Sequence, residues 1–585
     1  MTTIATTLAL LLLKLGPVTV NVDAKDGDLI SGERVFRVTV QANNPVTQVE
    51  FYVGDDLRDT DTSTPYEFKL NALDEKDGDL KISFAAYTSE SESGKKTMTV
   101  KVDNGLDKGV DFHVSRGQDL LANGRYDDAI AAGRVALKIK PGHNGARMLL
   151  ARAFFAKGTY DQAQKFAEDV VAAEPNNGDA RELLAGINLQ RAFTTFNRGG
   201  DKAETLATIA GALKTSAENR RLNLDAKFDA MGAPTDANRL AYADAALRAH
   251  RYSSAINALA GAFTKDPKNN AVVNRLVYAY IRSGRNEDAR NALNTVKRVG
   301  ALDGYGNALA GILEVNSGND AAADDAIKEA ILSDNEDMGV RTAQVYVALK
   351  RGKTNAMRDL LVGLSADAGR RPEVNFYLTI LLSAQQQFSE AQKSFELAAL
   401  AEPSFYELFV ERANQALALA SSGRVTDKDA VTYQYAVAAA FLEAALAAKP
   451  DAPEVLTGLS IANLLQGKIG EAAKYGKAAV QAGPNYAAGH YTYSCVCSVL
   501  VDDLAARAEK IRREDKDGVL DSDQKAEIAR MENEARTYRV ETQRSRDAAE
   551  KLDRSNLSGR PIPVVNDAFV YFYRHGRAPV LTLPR

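Results

Sequence analysis

Of the residues that carry most protein chemistry, this chain has few: no tryptophan, two cysteines and five histidines among 585 residues. The missing tryptophan removes the strongest aromatic platform for a sugar or a cation. His113, His143, His250, His490 and His575 stand apart from one another, which leaves little for imidazole acid–base chemistry or a paired metal site. Cys495 and Cys497 are two apart in one predicted helix and point to opposite sides, so they cannot be bridged comfortably and read as buried thiols. Nucleophile elbows, phosphate-cradling glycine loops, zinc spacings and carboxylate-pair motifs are also absent. The chain therefore reads as non-enzymatic, with no cofactor, metal or catalytic residue. Its 73 basic and 77 acidic residues, a net of −4, give no reason to expect nucleic acid.

What is present begins with a ten-residue apolar run, Ile4 to Leu13, the length of a signal-peptide h-region and too short to span a bilayer. No Lys or Arg precedes it, and an uncleaved anchor or the start of an ordinary element are the alternatives. Residues 1–16 are thus read as a signal segment, and the chain as periplasmic, surface-bound or extracellular. No later segment is read as membrane-spanning.

From residue 17 to 104 short alternating segments (VFRVTVQA, QVEFYVGD, KISFAAYT, TMTVKV) are separated by turns at Asp26-Gly27, Asn43-Asn44-Pro45, Asp77-Gly78 and Ser93-Gly94. Six or seven strands in this span predict an antiparallel sandwich. Val49-Glu50-Phe51-Tyr52-Val53-Gly54-Asp55, followed by Thr62-Ser63-Thr64-Pro65-Tyr66-Glu67-Phe68, resembles the bacterial Ig-like modules of secreted and surface proteins, and the resemblance implies an extracellular spacer or adhesion-like module. The stretch from Val18 to Asn104 carries 17 acidic against 10 basic residues. Asp74, Asp77 and Asp79 are donors of the type calcium takes, but they read as a solvated turn.

Prolines measure the remainder. Pro141 to Pro175 and Pro450 to Pro484 are each 34 residues, and Pro267 to Pro403 is 136, four times that period. Around them recur Gly124, Tyr126, Ala129, Ala136 and Pro141; Gly158, Tyr160, Ala163 and Pro175; Tyr252, Ala255, Ala262 and Pro267; Phe388, Ala391, Ala398 and Pro403; and Gly467, Ala472, Ala479 and Pro484. Small residues let paired helices approach, an aromatic fills the gap beside them, and proline ends the second helix. The pattern resembles the tetratricopeptide repeat and implies an all-α solenoid of about ten or eleven helix pairs over 110–498. Irregular units are expected near 193–235 and 416–429, where the period is broken.

Beyond it, 499–555 reads as a charged helical hairpin. Its turn, Asp515-Lys516-Asp517-Gly518, has the wrong register for a calcium loop, because Gly518 at the sixth position puts Arg513 first and Gln524 twelfth. In the tail, 556–585, Phe569, Tyr571 and Tyr573, then Val580, Leu581 and Leu583, alternate like a β-hairpin. These six residues are candidate assembly positions, since such an edge must be covered by the chain or by a neighbour.

The repeat resemblance also implies a groove along the first helices of the pairs that holds an extended peptide or a partner helix. The groove positions of this chain are Arg152, Phe155, Asn274, Tyr278, Arg282, Tyr346, Lys350 and Phe376, an aromatic and cationic lining suited to acidic ligands. The chain is accordingly expected to be a protein-binding scaffold of the bacterial envelope or surface. A self-assembling surface-layer, sheath or filament subunit and an accessory glycan-binding protein are the alternatives.

Overall fold

The computed structural model describes residues 18–198, 203–368, 371–402, 405–514, 520–561 and 565–584. The signal-segment reading of 1–16 and the turn 515–518 lie outside them. The chain divides into two compact units, Met1–Ala173 and Glu174–Arg585.

The first unit opens with eight strands among the described residues: β1 Thr19–Val22, β2 Leu29–Ile30, β3 Glu33–Gln41, β4 Val46–Val53, β5 Asp56–Asp61, β6 Tyr66–Asn71, β7 Gly78–Thr88 and β8 Ser93–Val102. They form a sandwich of two sheets, ordered β1-β3-β6 and β2-β8-β7-β4-β5. Alternation puts Phe36 of β3, Phe51 of β4, Phe68 of β6 and Phe84 of β7 inside, all fully buried. Their rings meet at centroid distances from 4.9 Å (Phe51–Phe84) to 5.9 Å (Phe36–Phe51). The edge strand β5, DLRDTD, is almost wholly exposed and charged, which discourages pairing with another chain. Asp77 caps the end of the sandwich: its carboxylate accepts from the Asn104 amide and side chain at 3.0 and 3.1 Å. Two helix pairs complete this unit, α1 Val110–Ala122 with α2 Tyr126–Ile139 and α3 Asn144–Ala156 with α4 Tyr160–Ala173. His113 of α1 ties them to the end of the sandwich through Nε2 and the Gly105 carbonyl, 2.7 Å apart.

The second unit continues the pairs: α5 Gly178–Asn197 and α6 Ala203–Asp229, α7 Arg239–Arg248 and α8 Tyr252–Lys265, α9 Asn270–Arg282 and α10 Asn286–Val299, α11 Gly304–Asn316 and α12 Asp320–Ser333, α13 Met338–Lys350 and α14 Thr354–Ala368, α15 Pro372–Ala384 and α16 Phe388–Ala401, α17 Tyr406–Ser421 and α18 Lys428–Ala448, α19 Pro453–Leu465 and α20 Ile469–Ala482. Small residues sit at the contacts as the pattern requires: Ala255, Ala289, Ala323, Ala398, Ala472 and Ala479 are fully buried. The turn inside a pair needs a left-handed residue, usually glycine, and His250 supplies it with φ 57°.

The broken period is absorbed as helix length, 27 residues in α6 and 21 in α18. These long helices pack on one another. Arg220 bonds Glu402 at 3.1 Å and also pairs with Glu182, Arg221 Nε donates to the Ala447 carbonyl at 2.9 Å, and Phe193 meets Phe395 at 5.8 Å. The first pair of the unit therefore closes against pairs about 200 residues later. Helix α18 departs from the expectation of no later membrane-length segment: by length and composition it is apolar enough to cross a bilayer. Here its alanine-rich surface packs with α6, α17 and α19.

Two further corrections concern the end of the chain. The charged hairpin does not begin at 499. Its first arm is the last repeat's own first helix, α21 Ala487–Glu514, and its second is α22 Ser522–Leu552, which buries Ile528, Met531 and Ala535 beside Leu504 and Ala508. The expected terminal β-hairpin is instead α23 Arg554–Leu557, α24 Val565–His575 and an irregular stretch to Pro584. In α24, Ala568, Phe569, Tyr571 and Phe572 are buried while Asn566, Asp567, Val570 and Arg574 face out, a helical division that the run Phe-Val-Tyr-Phe-Tyr conceals because its alternate positions 569, 571 and 573 are all aromatic.

Candidate functional site

The first helices of the pairs in the second unit share one face, and the chain's own carboxy-terminal segment lies along it. Helix α24 packs on α19 and α21, with the Tyr571 ring 4.9 Å from Tyr491 and its hydroxyl donating to Asp553 at 2.5 Å. From there residues 576–584 run past α21, α17, α9, α15, α13 and α11. Tyr486 donates to the Gly576 carbonyl at 2.8 Å, Arg282 to that of Pro579 at 2.6 Å, Tyr377 to that of Val580 at 2.6 Å and Tyr305 to that of Thr582 at 2.8 Å. Four main-chain acceptors of the segment are thus satisfied by side chains of three different helices and of Tyr486, just before α21, which is how a groove holds an extended chain without a sheet edge.

Two contacts depend on the segment's own side chains. Val580 and Leu581 are buried, 3% and 6% exposed, within the hydrophobic core of the unit. Arg577 donates from Nε and Nη2 to the two oxygens of Glu411 at 2.8 and 3.0 Å, a bidentate pair whose side chains are 14% and 3% exposed. Burial works against the Arg577 charge, but the Glu411 carboxylate outweighs it and raises the guanidinium above its ordinary value.

Several other groups of the groove pair among themselves. Arg282, buried at the centre, is ion-paired with Glu407 and donates to the Tyr406 hydroxyl at 2.7 Å, and Tyr406 in turn donates to Glu454 at 2.6 Å. Asn274 donates to Asp303 at 2.8 Å, and Tyr346 to Asn316 at 2.7 Å. Burial pushes Tyr305, Tyr377 and Tyr406 far above the usual phenol range, so at neutral pH they donate hydrogen bonds and cannot act as bases. Lys350 is pushed down to about 8 by burial and then by Arg577, with Asp553 opposing. Burial likewise raises Cys495 and Cys497 to about 12 and leaves them as inert thiols. Among the described residues no cluster of three or more His, Cys, Asp or Glu is arranged to hold a metal ion.

Of the groove positions named from sequence, the structure brings Asn274, Tyr278, Arg282, Tyr346, Lys350 and Phe376 onto this face. Asn274, Tyr278, Tyr346 and Phe376 are buried, Lys350 is half-buried, and Arg282 is half-buried as a residue with its side chain only 3% exposed. Arg152 and Phe155 lie on α3 in the first unit, Arg152 exposed and Phe155 against Tyr160 at 6.1 Å. The lining is not the acid-seeking surface that its cations suggested, because Arg282 is neutralised by Glu407 and the segment in the groove brings a cation to Glu411. Sequence reasoning missed Tyr305, Tyr377, Glu407 and Glu411. The four-residue spacing of Glu407 and Glu411 on a helix otherwise rich in Phe, Val, Leu and Ala was the available signal. The six assembly positions are covered within the chain, Tyr573 and Leu583 partly and the other four fully.

The tetratricopeptide repeat family matches residues 120–187 and 246–313, a second tetratricopeptide profile matches 434–487, and the bacterial Ig domain family matches 17–102. The chain thus carries tetratricopeptide repeats behind a bacterial Ig domain, a fold typical of protein–protein interaction scaffolds. No curated protein matches it. Similar solved structures include fibronectin(III)-like modules of Clostridium thermocellum CbhA (27% identity, 14% of this chain and 94% of that one, TM-score 0.14). Yeast Tom70 (14%, 64% and 92%, TM-score 0.29) and a tetratricopeptide repeat protein from Parabacteroides merdae (14%, 44% and 98%, TM-score 0.26) are two more.

Proposed function

We propose that this chain is a non-enzymatic scaffold of the bacterial cell envelope or surface, whose solenoid holds partner proteins while the Ig domain supplies spacing or docking. The observation that carries the binding half is the segment 576–582 lying in the first-helix face, its carbonyls held by Tyr486, Arg282, Tyr377 and Tyr305. A face that holds one extended chain through its backbone has the chemistry to hold others. The envelope half is supported by the bacterial Ig domain match and by the apolar run Ile4 to Leu13. That the reading is non-enzymatic draws on tyrosines and thiols held protonated well above neutrality and on groove charges paired with one another.

The test is site-specific photo-crosslinking in the cells that make the protein, with the probe at Lys350 or Arg574 of the full chain, combined with protease shaving of intact cells. Discrete protein adducts on a chain accessible from outside the cytoplasm are expected. A chain that fractionates wholly with cytoplasm sinks the envelope half, and the absence of any adduct sinks the scaffold half.

A further inference from the structure

The groove's present occupant defines what else it accepts. The carboxylates of this face differ in where their partners come from. Glu407 has Arg282, Glu454 has Tyr406 and Asp303 has Asn274, whereas Glu411 takes both its hydrogen bonds from Arg577 of the carboxy-terminal segment. Lift that segment away and the groove is left with a carboxylate lacking a cation, a vacated apolar site where Val580 and Leu581 sat, and three hydroxyl and guanidinium donors without their carbonyls. Such a surface asks for an arginine, then an extended backbone, then two aliphatic side chains. The segment follows α24, which is anchored separately by Phe569, Tyr571 and Phe572, so residues 576–584 can leave without unpacking the helix before them.

We propose that this groove recognises in trans, in exchange with residues 577–581, a linear protein segment carrying an arginine followed three and four positions later by two aliphatic residues. The proposal rests on the scaffold reading and names the chemistry of the partner. The tail is then a tethered competitor: it keeps Glu411 neutralised and the apolar site covered until a segment of the same pattern, in sufficient concentration, takes its place. Main-chain contacts from Arg282, Tyr377 and Tyr305 tolerate many sequences, and the Glu411 and aliphatic contacts select among them.

The probe is a fluorescein-labelled peptide with the sequence of residues 574–585, RHGRAPVLTLPR. It is titrated into the wild-type chain and into a full-length Val580→Asp, Leu581→Asp variant, whose own tail has lost its anchors while the groove is intact. The variant is expected to bind roughly ten- to a hundredfold more tightly than wild type, because the tethered competitor is gone. Adding Glu411→Gln to the variant, or replacing the peptide's first-matched arginine, the counterpart of Arg577, by alanine, should abolish most of that gain. Hydrogen exchange on the unmutated chain serves if the variant does not fold: saturating peptide should speed exchange across 577–584 and leave α24 unchanged. A folded variant with wild-type melting that binds no peptide overturns the proposal, as does binding indifferent to Glu411→Gln. Concentration-dependent dimers of wild type that excess peptide does not dissociate also overturn it, in favour of tail exchange between copies. Crosslinked partners at other surfaces with no peptide binding would leave the scaffold reading standing and remove this one.

Discussion

Replacing Arg577 by alanine asks what holds the carboxy-terminal segment in place. The pair it breaks is bidentate, at 2.8 and 3.0 Å, with Glu411 only 3% exposed. Removing one partner of a buried ion pair costs about 3–5 kcal/mol when the remaining charge stays buried. Here the segment can lift and admit water to Glu411, so the lower end applies, about 3 kcal/mol, and the loss falls on docking of 576–584 and not on the solenoid as a whole. At about 1.4 kcal/mol per tenfold, the docked-to-released ratio should fall roughly a hundredfold. Amide hydrogen exchange reads this directly, and trypsin cleavage after the exposed Arg574 gives an independent rate. Melting of the whole chain should shift little. Arg577→Lys should rescue only in part, because an ammonium cannot reproduce the two parallel bonds. Glu411→Ala should cost less in the Arg577→Ala background than in wild type. If 576–584 in Arg577→Ala stays as protected as in wild type, the ion pair is not what holds the segment, and the reasoning from buried charge is refuted.

Three other changes probe the same face. Tyr377→Phe deletes the donor to the Val580 carbonyl and should weaken docking of the segment by about 1–2 kcal/mol, read by the same exchange experiment. Gly339→Ala would place a methyl group 2.0 Å from the Tyr305 ring, so Tyr305 must move; a loss of about 1–3 kcal/mol in urea unfolding is expected, together with faster exchange at 582, whose carbonyl Tyr305 holds. For Lys350, with its folded value lowered to about 8 from an ordinary 10.5, the unfolded chain binds more protons between those two values, so this group makes stability rise with pH across that window. Lys350→Met should therefore melt higher than wild type at pH 7, and the difference should shrink as pH rises from 8 to 10.5. An unchanged difference across that range would contradict the burial of this ammonium.

How far the chain could be read from its residues varies along its length. The sandwich was legible because period-two alternation in β3, β4 and β6 leaves one arrangement that buries Phe36, Phe51 and Phe68 together. The helix pairs were legible because each repeat must present the same small and aromatic residues to its neighbours, so packing writes a period into the sequence. The tail was misread for the converse reason: Phe569 to Tyr573 is apolar at nearly every position, and such a run fits a strand or a buried helix equally until the surfaces around it are known. The acidic pair of α17 was overlooked because a carboxylate on a helix surface is ordinarily solvated, and only the arrival of Arg577 from 166 residues away makes Glu411 a binding group.

By itself, then, the sequence determined what local periodicity and nearest-neighbour packing can determine: a β-sandwich, a run of helix pairs and the breaks in their register. Only the tertiary structure decided that α6 closes onto α18, that the terminal aromatic run is a helix, and that the first-helix face is occupied by the chain's own end. Those features depend on contacts between residues roughly 80–300 positions apart, and such contacts leave no period in the sequence because they occur once.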